Sequence, residues 1–192
     1  MKNSLRQILY GFVFIFLAIR IGVDILADPV GYLLIAVGCF KIGEHFFDGK
    51  LAGYIAVVLI FLSIPSVFID FNLVESGPWF YYSNMLFAGE IVLTFYLFRM
   101  LKSIAQSNGD RRLEERTQRL FNFYIPANLL LLGLTALLIA FEFEFMQVLS
   151  FALLLVLLGV NIAFIFLLSA FRKTVIETDP LLISFVEGSK EG

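Results

Sequence analysis

The stretch Val30–Lys50, VGYLLIAVGCFKIGEHFFDGK, decides how the chain is read. It is apolar enough to enter a bilayer, yet it carries Lys41, Glu44 and the sole histidine of the chain, His45. At helical spacing Gly31, Leu34, Gly38, Lys41 and His45 share one face, and Leu33, Ala36, Phe40 and Phe47 share the other. Small residues let helix backbones approach closely and charges are costly against lipid. The first face is therefore expected to meet other helices.

Composition extends that reading to the whole chain. The 192 residues are 60% hydrophobic and 16% charged, with a mean hydropathy of +0.91. These values lie far from soluble averages. A span needs about 20 residues of helix, and apolar runs fall at 6–25, 30–48, 51–69, 79–101, 121–141 and 145–171. They predict an all-α fold, a polytopic bundle of six transmembrane helices forming one domain, followed by a cytoplasmic tail at 172–192. No soluble domain fits between the runs, so any activity belongs to the spans or their short loops. Lys2 and Arg6 ahead of Ile8–Ile19 imitate the start of a signal peptide. Arg20 and Asp24 interrupt the approach to a cleavage site, and an uncleaved first span is expected.

Local signals place the joints. Asp28 and Pro29 form a helix-start signature in which Asp caps free amides and Pro takes the first helical position. Pro65 removes a donor and is expected to kink the third span. Trp79, Phe80, Tyr81 and Tyr82 form a cluster suited to a membrane interface at the start of the fourth span. Arg111–Leu120 reads as a charged helix leading toward the fifth span, with Arg111 and Arg119 each four residues from Glu115. The three-span halves show no internal repeat when overlaid.

Charge placement gives an orientation. With six spans and an inside amino terminus, every basic residue except Arg20 falls on the inner side among the 14 present. Arg20 shares the outer side with Asp24, Asp28, Asp70, Glu75, Glu142 and Glu144. The positive-inside rule therefore predicts both termini in the cytoplasm of a cell-membrane protein. Arg111, Arg112, Arg116 and Arg119 can meet anionic headgroups, at about 1 kcal/mol per basic residue near the surface. The cluster is short and partly neutralised by Asp110, Glu114 and Glu115, which argues against nucleic acid as a partner.

The candidate site is polar and deep. Lys41, Glu90, Asn128 and Asn161 each sit roughly eight to eleven residues from the inner end of their spans, which puts them near the middle of a hydrocarbon core about 30 Å thick. An ion pair between Lys41 and Glu90, supported by the two asparagines, would meet the need of each charge for a partner. Ser83 and Thr94 share a face with Glu90, and Thr135 shares one with Asn128. His45, one turn inward of Lys41, has the chemistry to pass protons toward the cytoplasm. Near the outer surface, Arg20, Asp24 and Asp28 make an acidic turn. A single histidine and the single Cys39 give no metal or haem spacing, and no phosphate loop or nucleophile elbow is present, so no cofactor or catalytic apparatus is expected. Cys39 reads as a small buried hydrophobe. Two functions fit: a structural or accessory membrane protein, with the bilayer and a membrane protein as partners, or a small proton-linked transporter or channel using Lys41 and Glu90.

From Leu5 to Phe40, and above all in Arg20–Tyr32, RIGVDILADPVGY, the chain resembles small uncharacterised multi-pass membrane proteins of Firmicutes. Those proteins carry an Asp-Ile-Leu-Pro-Asp, two residues, Gly-Tyr motif after their first span. Here Ala27 stands where that motif has proline, and the proline is Pro29. The resemblance implies a bacterial cell-membrane location and no particular chemistry.

Overall fold

The structure, a computed structural model, describes residues 1–21, 27–68, 77–140 and 144–177. These residues are helical: α1 (Lys2–Ile21), α2 (Ala27–Gly43), α3 (Phe47–Ser63), a short 3-10 turn (Ile64–Val67), α4 (Pro78–Ser107), α5 (Arg111–Ala140) and α6 (Glu144–Glu177). Within them, Phe47–Val67, Pro78–Ser107, Arg111–Leu137 and Phe151–Thr174 are long and apolar enough to cross a membrane. The chain is a membrane-type helical bundle. Each helix packs chiefly on its neighbours in sequence, and α6 returns to α1, so the bundle closes into a ring.

Side chains are sorted as lipid requires. Phe14, Leu33, Val58, Phe61, Val92, Leu129, Phe151 and Phe166 are exposed on the outside, whereas Ser63, Ser66, Thr94, Thr117 and Asn128 are buried. Apolar surface gains nothing by leaving lipid, so helix association there relies on close packing and internal hydrogen bonds.

Close packing is tightest between α1 and α2. A Cβ at Gly38 would lie 2.6 Å from the Ser4 carbonyl oxygen and 2.7 Å from Ile8, and Gly11 and Gly31 face each other in the same way further along. Gly43 meets the backbone of Gly49 and Lys50 across the turn into α3, and Phe40 covers Gly53. On the other side of the ring the helices stand off on aromatic side chains, described below.

The joints differ in detail from the sequence reading. The second helix ends at Gly43 and α3 begins at Phe47, several residues earlier than the break expected at Asp48–Lys50. The two glycines permit this tight turn, in which His45 and Phe46 amides both return to the Ile42 carbonyl. Pro65 stops α3 instead of kinking it. The Phe61 carbonyl, which would have paired with a donor at position 65, accepts from the Ile64 amide, and the chain tightens into the 3-10 turn. Tyr82 then donates to the Leu62 carbonyl at 2.7 Å, tying α4 to the last turn of α3.

The charged segment and the fifth span form one continuous helix that runs through Pro126. Glu115 pairs with Arg111 at 3.4 Å and with Arg119 at 3.8 Å as the spacing predicts. Exposed pairs of this kind contribute little. Gly109, with φ of 67°, ends α4, and the Asp110 carboxylate accepts from the Leu113 amide to start α5. Asp48 and Arg99 link α3 to α4 at 3.2 Å, an ion pair outside the sequence reading. The expected outer loop 70–78 and tail segment Leu181–Val186 lie outside the described residues, apart from Gly77 and Pro78.

The glycine contacts make a direct prediction. Gly38→Ala is expected to destabilise the folded protein by about 1–3 kcal/mol, the usual cost of overpacking. Gly133→Ala, where an added Cβ meets nothing within 4 Å, is expected to be neutral or slightly stabilising. Thermal unfolding of both variants in detergent, read by size-exclusion chromatography, checks the opposite signs.

Candidate functional site

Glu90 sits on the inward face of α4, and its Oε1 accepts a hydrogen bond from the Tyr32 hydroxyl at 2.5 Å. Tyr32 belongs to α2 and is fully buried. The bond therefore reaches across the ring between helices that are not neighbours in sequence. It borders a cavity of 340 Å³ lined by α1, α2, α4, α5, α6 and the 3-10 turn. On α4 the lining runs from Phe80 to Thr94, about 21 Å of helix.

Polar groups line the cavity at two levels. Toward the 3-10 turn, the Ser66 hydroxyl donates to the Ser63 carbonyl at 2.7 Å and lies 3.3 Å from Asp28 Oδ2, and the Thr135 hydroxyl lies 2.9 Å from both Asn84 Oδ1 and the Leu132 carbonyl. Near Glu90, the Tyr124 hydroxyl donates to Asn161 Oδ1 at 2.8 Å, with the Thr94 hydroxyl against the same phenol. Asn128 is 4% exposed, and its Nδ2 donates to the Tyr124 carbonyl of its own helix. Asn161 Nδ2 likewise bonds the Leu157 carbonyl. Using amide nitrogens within the helix leaves carbonyl oxygens for cross-helix bonds and the cavity.

Below this level the ring is filled by aromatics. Phe164 packs on Phe12 at 4.7 Å, on Phe98 at 4.8 Å and on Tyr124 at 5.7 Å between ring centroids. Phe98 also meets Tyr124 and Phe121. With buried Leu97, Leu101, Ile104 and Phe171, these rings plug the end of the bundle that carries the turns at 44–46 and 108–110.

Of the residues expected at a common depth, Glu90, Asn128 and Asn161 do line one cavity, together with Ser83, Thr94 and Thr135. Lys41 and His45 do not. Both are exposed, and the anticipated Lys41–Glu90 ion pair is replaced by the Tyr32–Glu90 hydrogen bond. The physical reason is the helix end. With α2 stopping at Gly43, Lys41 lies in its last turn, where a cation suits the helix dipole and a long side chain can reach water. It shares the exposed stripe of Leu33, Val37 and Phe40 and lies outside the packed face of Gly31 and Gly38.

Asp28 also departs from expectation. It falls in the first turn of α2, after its start at Ala27, and its carboxylate joins the cavity wall through Ser66. Asp24 and the side chain of Arg20, its expected companions in an outer turn, lie outside the described residues. Tyr32 and Tyr124 are not among the residues expected there, since neither carries a charge or an amide side chain. Their spacing carried a signal: Tyr32 is four residues after Asp28, and Tyr124 four before Asn128, so each shares a face with a polar partner. Cys39 is buried and free, as a small hydrophobe would be.

Among the described residues lining the cavity, Asp28 and Glu90 are carboxylic and none is lysine, arginine or histidine. The arrangement can accept hydrogen bonds and bind positive charge, with apolar and aromatic surface for the rest of a ligand. No family model, curated protein or solved structure matches the chain.

The cross-ring bond is testable by a double-mutant cycle. Tyr32→Phe is expected to cost roughly 1–3 kcal/mol by leaving a buried acceptor without its donor. Glu90→Gln keeps a carbonyl acceptor and should cost less, and the two changes together should be non-additive, as for residues in contact. Denaturant or thermal unfolding of the four proteins measures the coupling.

Proposed function

We propose that the chain is a six-span protein of the bacterial cell membrane, with both termini cytoplasmic, acting as a small proton-linked carrier whose solute site is the central cavity. The observation that carries this reading is Glu90, a carboxyl group on the wall of a 340 Å³ cavity and bonded across the ring to Tyr32. Ionisable residues within membrane helices face the bundle interior and mark ion or substrate paths. A purely structural or accessory protein would use the polar bonds as ties between helices, but it has no need of the cavity.

Two further features support the carrier. The cavity volume falls in the range of small-molecule sites, roughly 300–1,000 Å³. The aromatic plug closes the end that carries the turns at 44–46 and 108–110, a closed end of the kind each state of an alternating carrier requires. By the positive-inside rule that closed end is cytoplasmic, since it carries Lys41, Lys50, Lys102 and the exposed Arg111, Arg112, Arg116 and Arg119. The same arginines suit anionic headgroups.

Orientation is checked with single cysteines in a Cys39→Ser background. Ser107→Cys is expected to react with an impermeant maleimide only after cells are opened, and Ser76→Cys in intact cells. The reverse pattern, or both on one side, contradicts the six-span topology.

Transport is checked in proteoliposomes with an inside-acid gradient and an entrapped pH dye. A panel of cationic, neutral and anionic aromatic solutes is added in turn. At least one should evoke proton efflux through the wild type, and Glu90→Gln, verified as monodisperse, should abolish it. Silence of the wild type toward the whole panel would overturn the carrier reading.

A further inference from the structure

We infer that the ligand class of the cavity is a small organic ammonium ion with an aromatic or comparably bulky hydrocarbon body. This rests on reading the cavity as a solute site and names what that site takes.

Charge comes first. Glu90 faces the cavity, and among the described lining residues none is lysine, arginine or histidine. A charge within the hydrocarbon region needs a partner. Tyr32 supplies one hydrogen bond, to Glu90 Oε1, and among the described residues no donor reaches Oε2. Asn128, nine-tenths buried, spends its amide nitrogen on the Tyr124 carbonyl and keeps Oδ1 without a donor among the described residues. Both residues line the same cavity. A protonated amine offers N–H donors and positive charge together, which an anion or a neutral carbonyl compound does not.

The walls specify the rest of the ligand. Phe12, Phe16, Tyr32, Phe80, Phe87 and Tyr124 contribute aromatic surface. Ring faces attract a cation within about 6 Å of their centroids and also bury hydrocarbon. Size excludes a bare metal ion as the natural occupant. An apolar cavity of about 150 Å³ takes benzene, so 340 Å³ accepts a ring with a short aminoalkyl arm. A dehydrated inorganic ion would leave most of it unfilled, against walls that are largely apolar.

The test is isothermal titration of the full chain in nanodiscs at neutral pH, with empty nanodiscs subtracted. The probes are 2-phenylethylamine, which is cationic there, its uncharged counterpart 2-phenylethanol, and phenylacetate. The amine is expected to bind saturably and at least about tenfold more tightly than either other probe, a difference of about 1.4 kcal/mol. Glu90→Gln should weaken the amine by a similar factor, Glu90→Asp should restore much of it, and Lys41→Ala should change nothing. The comparison among probes stands on the wild type alone, so it decides the matter even if a Glu90 variant fails to fold.

Equal or tighter binding of the alcohol or the acid would overturn the ammonium inference while leaving a solute site in place. Amine binding indifferent to Glu90→Gln in a folded protein would overturn it too. Binding of none of the three would overturn both this inference and the solute-site reading.

Discussion

The hydrogen bond from Tyr32 to Glu90 spans the interior between α2 and α4, helices that are not sequential neighbours. Contacts around the perimeter hold adjacent helices together but do not by themselves fix how wide the ring is. A carboxyl group cannot turn outward to lipid without a large cost, so α4 must present Glu90 inward. A fully buried tyrosine meets it from α2, two places round the ring. The length of a phenol then sets the separation at that level, and the space beside it is the cavity.

The two sides of the ring are built differently, and the cavity lies where they meet. Glycines bring α1, α2 and α3 together almost backbone to backbone. Around α4, α5 and α6, rings at Phe98, Phe121, Tyr124 and Phe164 hold the helices further apart and fill the gaps. Towards the turns at 44–46 and 108–110 those rings meet Phe12 and close the interior. Towards the 3-10 turn, smaller polar residues, Ser66, Ser83, Asn84 and Thr135, take their place and leave room. Pro65 matters here because ending α3 at Ser63 lets the Ser66 hydroxyl bond the Ser63 carbonyl and brings it beside Asp28.

Much of this was legible in the sequence because lipid imposes simple rules. Apolar runs marked the helices, and polar residues at equal depth marked a shared interior level for Glu90, Asn128 and Asn161. Lys41 sits elsewhere because α2 ends at Gly43, several residues before the inner end that the sequence suggests, and such a shift moves a side chain from mid-membrane to the last turn. The turn itself depends on Gly43 and Gly49 approaching across it, a tertiary contact without a local signature. Tyr32 and Tyr124 give no such signal, since tyrosine in a membrane protein reads first as an interfacial residue. Which apolar phenylalanines would gather into a plug is a property of the ring's closure, and one-dimensional periodicity does not contain it.

The plug has an electrical consequence. A section filled with phenylalanine and leucine has a low dielectric constant, whereas a hydrated cavity above it would conduct the outer potential inward. On the proposed reading, the membrane voltage therefore falls mostly across the layer of Phe12, Phe98 and Phe164, and Glu90 stands near the outer potential while that layer is shut. Docking a cation beside Glu90 would then be nearly independent of voltage. Carrying it past the rings would couple to the field at about 2.3 kcal/mol per charge per 100 mV, so the aromatic layer is where a charge-moving cycle would gain or lose electrical work.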